Sequence, residues 1–200
     1  MSLPLMIFAA GKGTRMKSKL PKVLHRVGGK PMVERVLDTV KELGTDRNVV
    51  IIGFGGEEVH NYLGDAAEFV VQEEQNGTGH AVKQAQPLLG DYKGTIILLC
   101  GDTPLVTAET LAALVKEHKE TGAAATVLTA SFDDPTGYGR IIRDSEGNVL
   151  RIVEQKDANS SELAVHEVNT SVYVFDAKLL DEAIANLKSN NAQGEFYLTD

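Results

Sequence analysis

Leu5-Met6-Ile7-Phe8-Ala9-Ala10-Gly11-Lys12-Gly13-Thr14-Arg15-Met16 is the stretch that decides the fold. An apolar run, Leu5–Ala10, passes directly into a glycine turn that carries Lys12 and Arg15. A continuous apolar run of this length, rather than an alternating one, is typical of a strand buried on both faces of a parallel sheet. A glycine turn at its end lets backbone N–H groups approach an anion without side-chain obstruction. The carboxyl end of a parallel strand is also where α/β sheets bind ligands. Two familiar glycine loops are excluded. A dinucleotide fingerprint needs a third glycine where this chain has Met16, and a P-loop needs four residues between its glycines followed by Lys-Ser/Thr. What remains is a Gly-x-Gly loop with two cations, joined by a third at Leu20-Pro21-Lys22, where proline fixes the return of the chain. Such a cluster suits phosphate.

Working outward, Asn48–Phe54, Glu68–Gln72 and Gly94–Cys100 read as further strands, separated by stretches of helical period. Pro31–Leu43 places Met32, Val33, Val36, Leu37, Val40 and Leu43 on one stripe, with Pro31 in the first turn and Gly44 as the stop. Gly56–Leu63, Gly79–Leu89 and Thr107–Thr121 are the next helices, the last capped by Thr107. Past residue 122 strands dominate: Ala123–Ser131, Gly139–Arg143, Asn148–Glu154 and Val168–Asp176, then a helix over Ala177–Lys188. Asp144–Gly147 reads as a hairpin turn between two of them. The βαβα rhythm predicts a Rossmann-like open, mostly parallel mixed sheet with helices on both faces, in one domain spanning residues 1–200.

The charge balance is 20 basic against 28 acidic residues, net −8, which excludes global attraction to nucleic acid or anionic membrane. Any phosphate must be held locally. Pro4–Ala10 and Thr95–Cys100 are far too short to span a bilayer, and no basic segment precedes the first apolar run, so a cytoplasmic chain is expected. Cys100 is the only cysteine and there are five histidines, a composition that argues against a disulfide framework or a zinc site.

The glycine loop with Pro21-Lys22 resembles the signature of the sugar-1-phosphate nucleotidyltransferases. Four more segments narrow the likeness: Gln72-Glu73-Glu74-Gln75-Asn76-Gly77-Thr78-Gly79-His80-Ala81, Gly101-Asp102-Thr103-Pro104-Leu105, Asp134-Pro135-Thr136-Gly137-Tyr138-Gly139-Arg140-Ile141, and the stretch Asn190–Asp200. In that order they resemble the uridyltransferase half of the bacterial bifunctional N-acetylglucosamine-1-phosphate uridyltransferase/glucosamine-1-phosphate acetyltransferases. The resemblance implies that UTP and N-acetylglucosamine-1-phosphate give UDP-N-acetylglucosamine, a cell-wall precursor, and pyrophosphate, with Mg²⁺ as cofactor. Its siblings use other bases or sugars, and a non-catalytic module of the same fold would have lost Arg15, Lys22 or Asp102; all are present.

The same resemblance distributes the roles. Arg15 and Lys22 stabilise developing charge and the departing pyrophosphate, with Lys12 sharing that work, and the Gly11–Gly13 backbone holds phosphates. Asp102, one glycine beyond a buried strand, is the metal ligand and a catalytic residue. Phe8, Ala9, Ala10, Cys100 and Gly101 count among the substrate-binding residues, Cys100 as a small strand-ending residue and not a nucleophile. Gln72 with Gly77, Thr78 and Gly79 reads uracil, Gln72 being preferred to Gln75 on motif position, and His80 supports the turn. Tyr138, Gly139 and Arg140, Glu154, and Asn169 with Thr170 line the sugar pocket, although Ser171 stands where the family often has glycine. Asn190–Asp200 matches a segment that in the family leads into a further helix and strand, including an asparagine that is the second protein ligand of the metal. A domain truncated at its C-terminal end is therefore expected, able to bind nucleotide but weak as an enzyme, with apolar surface exposed on one side of the sheet. No hexapeptide repeats of the acetyltransferase β-helix, through which the family oligomerises, occur in the sequence.

Overall fold

The computed structural model describes residues 3–200. The chain opens with β1 (Pro4–Ala9), a small ribbon of β2 (Arg26–Val27) and β3 (Lys30–Pro31), and α1 (Met32–Glu42). It continues through β4 (Arg47–Ile52), α2 (Gly56–Leu63), β5 (Glu68–Val71), α3 (Thr78–Leu89), β6 (Thr95–Cys100) and α4 (Ala108–Thr121). The last part holds β7 (Ala125–Ser131), β8 (Arg140–Arg143), β9 (Val149–Val153), α5 (Ser160–Leu163), β10 (Glu167–Asp176) and α6 (Ala177–Asn186).

Apart from the β2–β3 ribbon, the strands form one sheet in the order β5-β4-β1-β6-β10-β8-β9, with β7 also paired to β10. Every pairing among β5, β4, β1 and β6 is parallel. Every pairing that involves β7, β8, β9 or β10 is antiparallel. The mixed sheet is as expected, with its parallel character confined to the first half. The short turn between β8 and β9 permits only the antiparallel arrangement.

Strand alternation divides the core between two faces. Leu5, Ile7 and Ala9 face Val33 and Leu37 of α1, Val59 of α2 and Leu111 of α4. Met6 faces the other way, with Val82 and Ala85 of α3 and Leu180 and Ile184 of α6. Helices therefore cover both faces. Thr107 caps α4 by accepting from the Thr110 N–H, as its position in the sequence predicts. Two elements are additional to the sequence reading. The β2–β3 ribbon turns through Gly28 and Gly29, both at positive φ, and α5 begins with a capping box between Asn159 and Glu162.

The carboxyl ends of β1 and β6 lie side by side, Phe8 being the register partner of Cys100. This brings the glycine loop next to the segment that carries Asp102.

Candidate active site

The glycine loop has two glycines of different kinds. Gly13 sits at φ 57°. A Cβ there would lie 2.7 Å from Lys22 Cβ, so the lysine stem packs where only glycine fits. Gly11 is the opposite case: an added Cβ would meet nothing within 4 Å. The fold leaves space above it.

Lys22 follows the buried Pro21 and forms an ion pair with Asp102, Lys22 Nζ to Asp102 Oδ2. Asp102 is set by Gly101, whose N–H donates to the Phe8 carbonyl at 2.9 Å. A Cβ on Gly101 would sit 3.1 Å from that same carbonyl. Between them, these contacts fix Asp102 at the mouth of the β1–β6 junction. The Cys100 thiol is pushed up to about 12, first by burial and then by the charge of Asp102. It is held as a thiol, not as the thiolate that a nucleophile requires.

Two cavities open over these strand ends. One, of about 690 Å³, has Ala9, Gly13, Arg15, Lys22, Asp102 and Tyr138 in its wall. The other, of about 440 Å³, has Ala10, Gln72, Gly77, Thr78, Glu154 and Tyr197 in its wall. Phe8, Gly11 and Cys100 belong to both, so the two are chambers of one trough that meet at the open space above Gly11. Lys12 is exposed and lines neither chamber.

In the second chamber the Gln72 side chain is buried, and its Nε2 donates to the Gly77 carbonyl at 3.0 Å. Gly77 has φ 98°, and a Cβ there would lie 2.5 Å from the Phe196 carbonyl. That carbonyl accepts from the Gly79 N–H at 2.8 Å, and Thr78 Oγ1 accepts from the Leu198 N–H at 2.9 Å. The segment 190–200 thus braces the Gly77–Gly79 turn, and its Gln193, Glu195 and Tyr197 complete the chamber wall. No role for those three was read from the sequence, although the motif containing them was visible. Gln75 does different work from Gln72: its Nε2 donates to the Ala10 carbonyl at 2.6 Å and ties this turn to the glycine loop.

At the far side, Tyr138 is exposed and stands edge-on to Phe132, with ring centroids 5.2 Å apart. Gly139 allows Glu154 to approach, since a Cβ there would lie 3.2 Å from Glu154 Oε1. Burial raises the Glu154 carboxyl above its ordinary range, against the Thr199 hydroxyl that donates to it at 3.0 Å. Asn169 is buried and both ends of its amide are engaged: Nδ2 donates to the Tyr173 hydroxyl at 2.6 Å, and Oδ1 accepts from the Ser171 N–H at 3.0 Å. It borders a small void with Glu154 and Thr199. Two neighbours named in the sequence reading point elsewhere. The Arg140 guanidinium, 2% exposed, donates to the Tyr138 carbonyl and to Gln155 Oε1, so it supports the loop from behind. Thr170 Oγ1 donates to the Leu128 carbonyl at 2.6 Å.

Among the described residues no three His, Cys, Asp or Glu side chains group together as a metal cage. Asp102 alone presents a carboxylate, part-exposed, to the first chamber. This suits Mg²⁺, which keeps several waters and is held by one or two carboxylates together with substrate phosphates.

Similar architecture occurs in solved structures of nucleotide-sugar pyrophosphorylases. A UDP-glucose pyrophosphorylase complexed with UDP-glucose superposes with TM-score 0.78 over 100% of this chain and 85% of its own, at 18% identity. A Bacillus anthracis protein described as a glucose-1-phosphate thymidylyltransferase superposes with TM-score 0.81 over 100% of this chain and 80% of its own, at 23% identity. The fold is thus the Rossmann-like one of these two structures. Residues 5–199 match the nucleotidyl transferase family, and the chain belongs to it. Among curated relatives, the bifunctional protein GlmU of Exiguobacterium sibiricum is 58% identical over 98% of this chain and 43% of its own length. Those of Shouchella clausii and Geobacillus thermodenitrificans are 59% and 56% identical, over 43% and 42% of their lengths. This chain therefore spans less than half the length of these relatives.

Proposed function

We propose that this chain is the uridyltransferase part of a GlmU-like enzyme, joining UTP to N-acetylglucosamine-1-phosphate and releasing pyrophosphate. The observation that carries the reading is the trough itself. A cationic chamber with Arg15, Lys22 and Asp102 meets a polar chamber with Gln72, Gly77 and Glu154 above a glycine whose space the fold leaves open.

A phosphate-linked ligand laid along the trough crosses Gly11 at its centre. The sugar-phosphate oxygen attacks the α-phosphorus in line, with pyrophosphate leaving on the opposite side. Such a displacement needs positioning and charge neutralisation rather than a covalent nucleophile. Arg15 and Lys22 supply positive charge in the phosphate chamber, and Lys22 exchanges Asp102 for a phosphate partner as the ligand enters. Gln72 with the Gly77–Thr78 backbone meets the base. Glu154 and the Tyr138–Gly139 backbone meet the sugar, while Asn169 shapes that wall through its buried amide. Asp102 is the residue that would hold Mg²⁺, which when bound neutralises phosphate charge.

The test is a panel of nucleoside triphosphates and sugar-1-phosphates ranked by kcat/KM from pyrophosphate release. UTP with N-acetylglucosamine-1-phosphate is expected to rank first, and Asp102→Asn is expected to abolish most of the turnover with the fold intact. A different leading pair would assign the chain to a sibling activity. Near-normal turnover of the Asp102→Asn variant across a Mg²⁺ titration would remove the metal role.

A further inference from the structure

Gln72 belongs to a chain of side-chain contacts that runs away from the trough into α3. Its Nε2 lies 3.0 Å from the Gly77 carbonyl and 3.3 Å from His80 Nδ1. His80 Nε2 in turn lies 3.0 Å from the Gln84 amide group, one helical turn further on. Spacing by four residues puts His80 and Gln84 on the same face of α3.

With all three contacts taken as hydrogen bonds, one assignment of donors and acceptors satisfies them together. A backbone carbonyl can only accept, so the Gln72 atom beside Gly77 must be the NH₂ end of its amide. The second proton of that NH₂ group has His80 Nδ1 as its acceptor at 3.3 Å when that ring nitrogen is bare. In that tautomer the ring proton sits on Nε2, and the Gln84 amide, whose Nε2 stands 3.0 Å away, meets it with its oxygen after a half-turn. The Gln72 oxygen is the end left for a ligand, and Gln72 lines the second chamber.

We propose that His80, acting with the Gly77 carbonyl, locks the Gln72 amide oxygen toward the ligand and is thereby a specificity-determining positioning residue for the base. Uracil and cytosine exchange donor for acceptor at ring positions 3 and 4. A fixed acceptor is complementary to only one of them at a given position, whereas an amide able to turn serves either. His80 touches no base; it withholds the alternative orientation of Gln72. The inference rests on the reading of the second chamber as the base site.

The experiment is calorimetric titration of this 200-residue chain with UTP and with CTP, for the wild type, His80→Leu and His80→Asn. Asparagine can place an acceptor near the position of the imidazole Nδ1, and leucine cannot. The expected result is a UTP-over-CTP preference in the wild type that falls roughly tenfold in His80→Leu, the worth of one misdirected hydrogen bond, and returns in His80→Asn. Thermal unfolding of each variant keeps the comparison to folded protein. Undiminished discrimination by a folded His80→Leu chain, or equal loss in both variants, would overturn the lock while leaving the base site in place. Failure of the wild type to bind UTP at all would overturn the reading of the chamber, and the lock with it.

Discussion

Ser171 is held at φ 60°, a left-handed conformation inside a strand. Its place is the irregularity in the β10–β7 register, where Asn169 pairs with Thr129 and the next pair is Tyr173 with Val127. The Asn169 Oδ1 bond to the Ser171 N–H fastens this bulge, and the Ser171 carbonyl faces the Cys100 thiol at 3.9 Å. Left-handed backbone costs an L-residue about 1–2 kcal/mol, part of which glycine gives back through its greater unfolded-chain entropy. Ser171→Gly should therefore stabilise the chain by roughly 0.5 kcal/mol, and Ser171→Ala should destabilise it, since alanine keeps the strain and loses the hydroxyl. Urea unfolding midpoints in the order Gly, Ser, Ala, from most to least stable, are the expected outcome. Glycine at or below serine would show that the bulge carries no such strain, and alanine at or above serine would show that the hydroxyl contributes nothing there.

At the scale of elements, the site is assembled where the end of β9 meets the segment 190–200. Glu154, the residue after β9, accepts from Thr199 and is held above its ordinary range by burial, with Asp157 and Asp200 adding to the shift. A carboxyl whose folded-state value is raised favours the fold at pH below its unfolded value, and that contribution is lost as pH rises through the raised value. Glu154→Gln is neutral throughout, so it should melt higher than the wild type near pH 8, with the difference closing toward pH 4. Sugar-phosphate binding should weaken in the same variant. A melting difference that grows in acid would refute the sign. Much of this element scale was legible in the sequence: β1, β6 and α4 follow from unbroken apolar runs, a helical stripe and a Thr107 cap. The β2–β3 ribbon escaped because two-residue strands have no periodicity, although Gly28-Gly29 is a hairpin signal. Helix α5 escaped because it is four residues long, although Asn159 and Glu162 have capping-box spacing. What no local pattern carries is non-local placement. The sequence could not say that Arg140 turns behind the loop, that Asn169 spends its amide on Tyr173 and Ser171, or that Gln193, Glu195 and Tyr197 close the second chamber.

At the scale of the whole molecule, the trough is not the only depression. On the face covered by α3 and α6 lies an apolar groove of about 550 Å³, with Phe175, Leu180, Ile184, Leu187 and Leu198 in its wall. Asp200 lines it too, so the polypeptide reaches residue 200 in the groove. Such a groove beside a core face is the kind of surface a further supersecondary element would cover. We propose that residues beyond 200 in a longer polypeptide pack here and complete the domain, in keeping with relatives more than twice this length. The same packing would hold Tyr197 and Thr199 in place, and through them the second chamber wall and Glu154. A chain lengthened by roughly 30 residues of its own polypeptide, the size of one supersecondary unit, should then melt higher, bind less of an apolar dye and turn over faster. Affinity for UTP should change less than turnover, because the first chamber is lined by residues between 8 and 138 and shares none of them with the groove. The comparison needs both lengths assayed side by side for melting, dye binding, UTP affinity and pyrophosphate release. Equal turnover and equal melting of the two chains would show that the domain is complete at residue 200 and that the groove belongs to its finished surface.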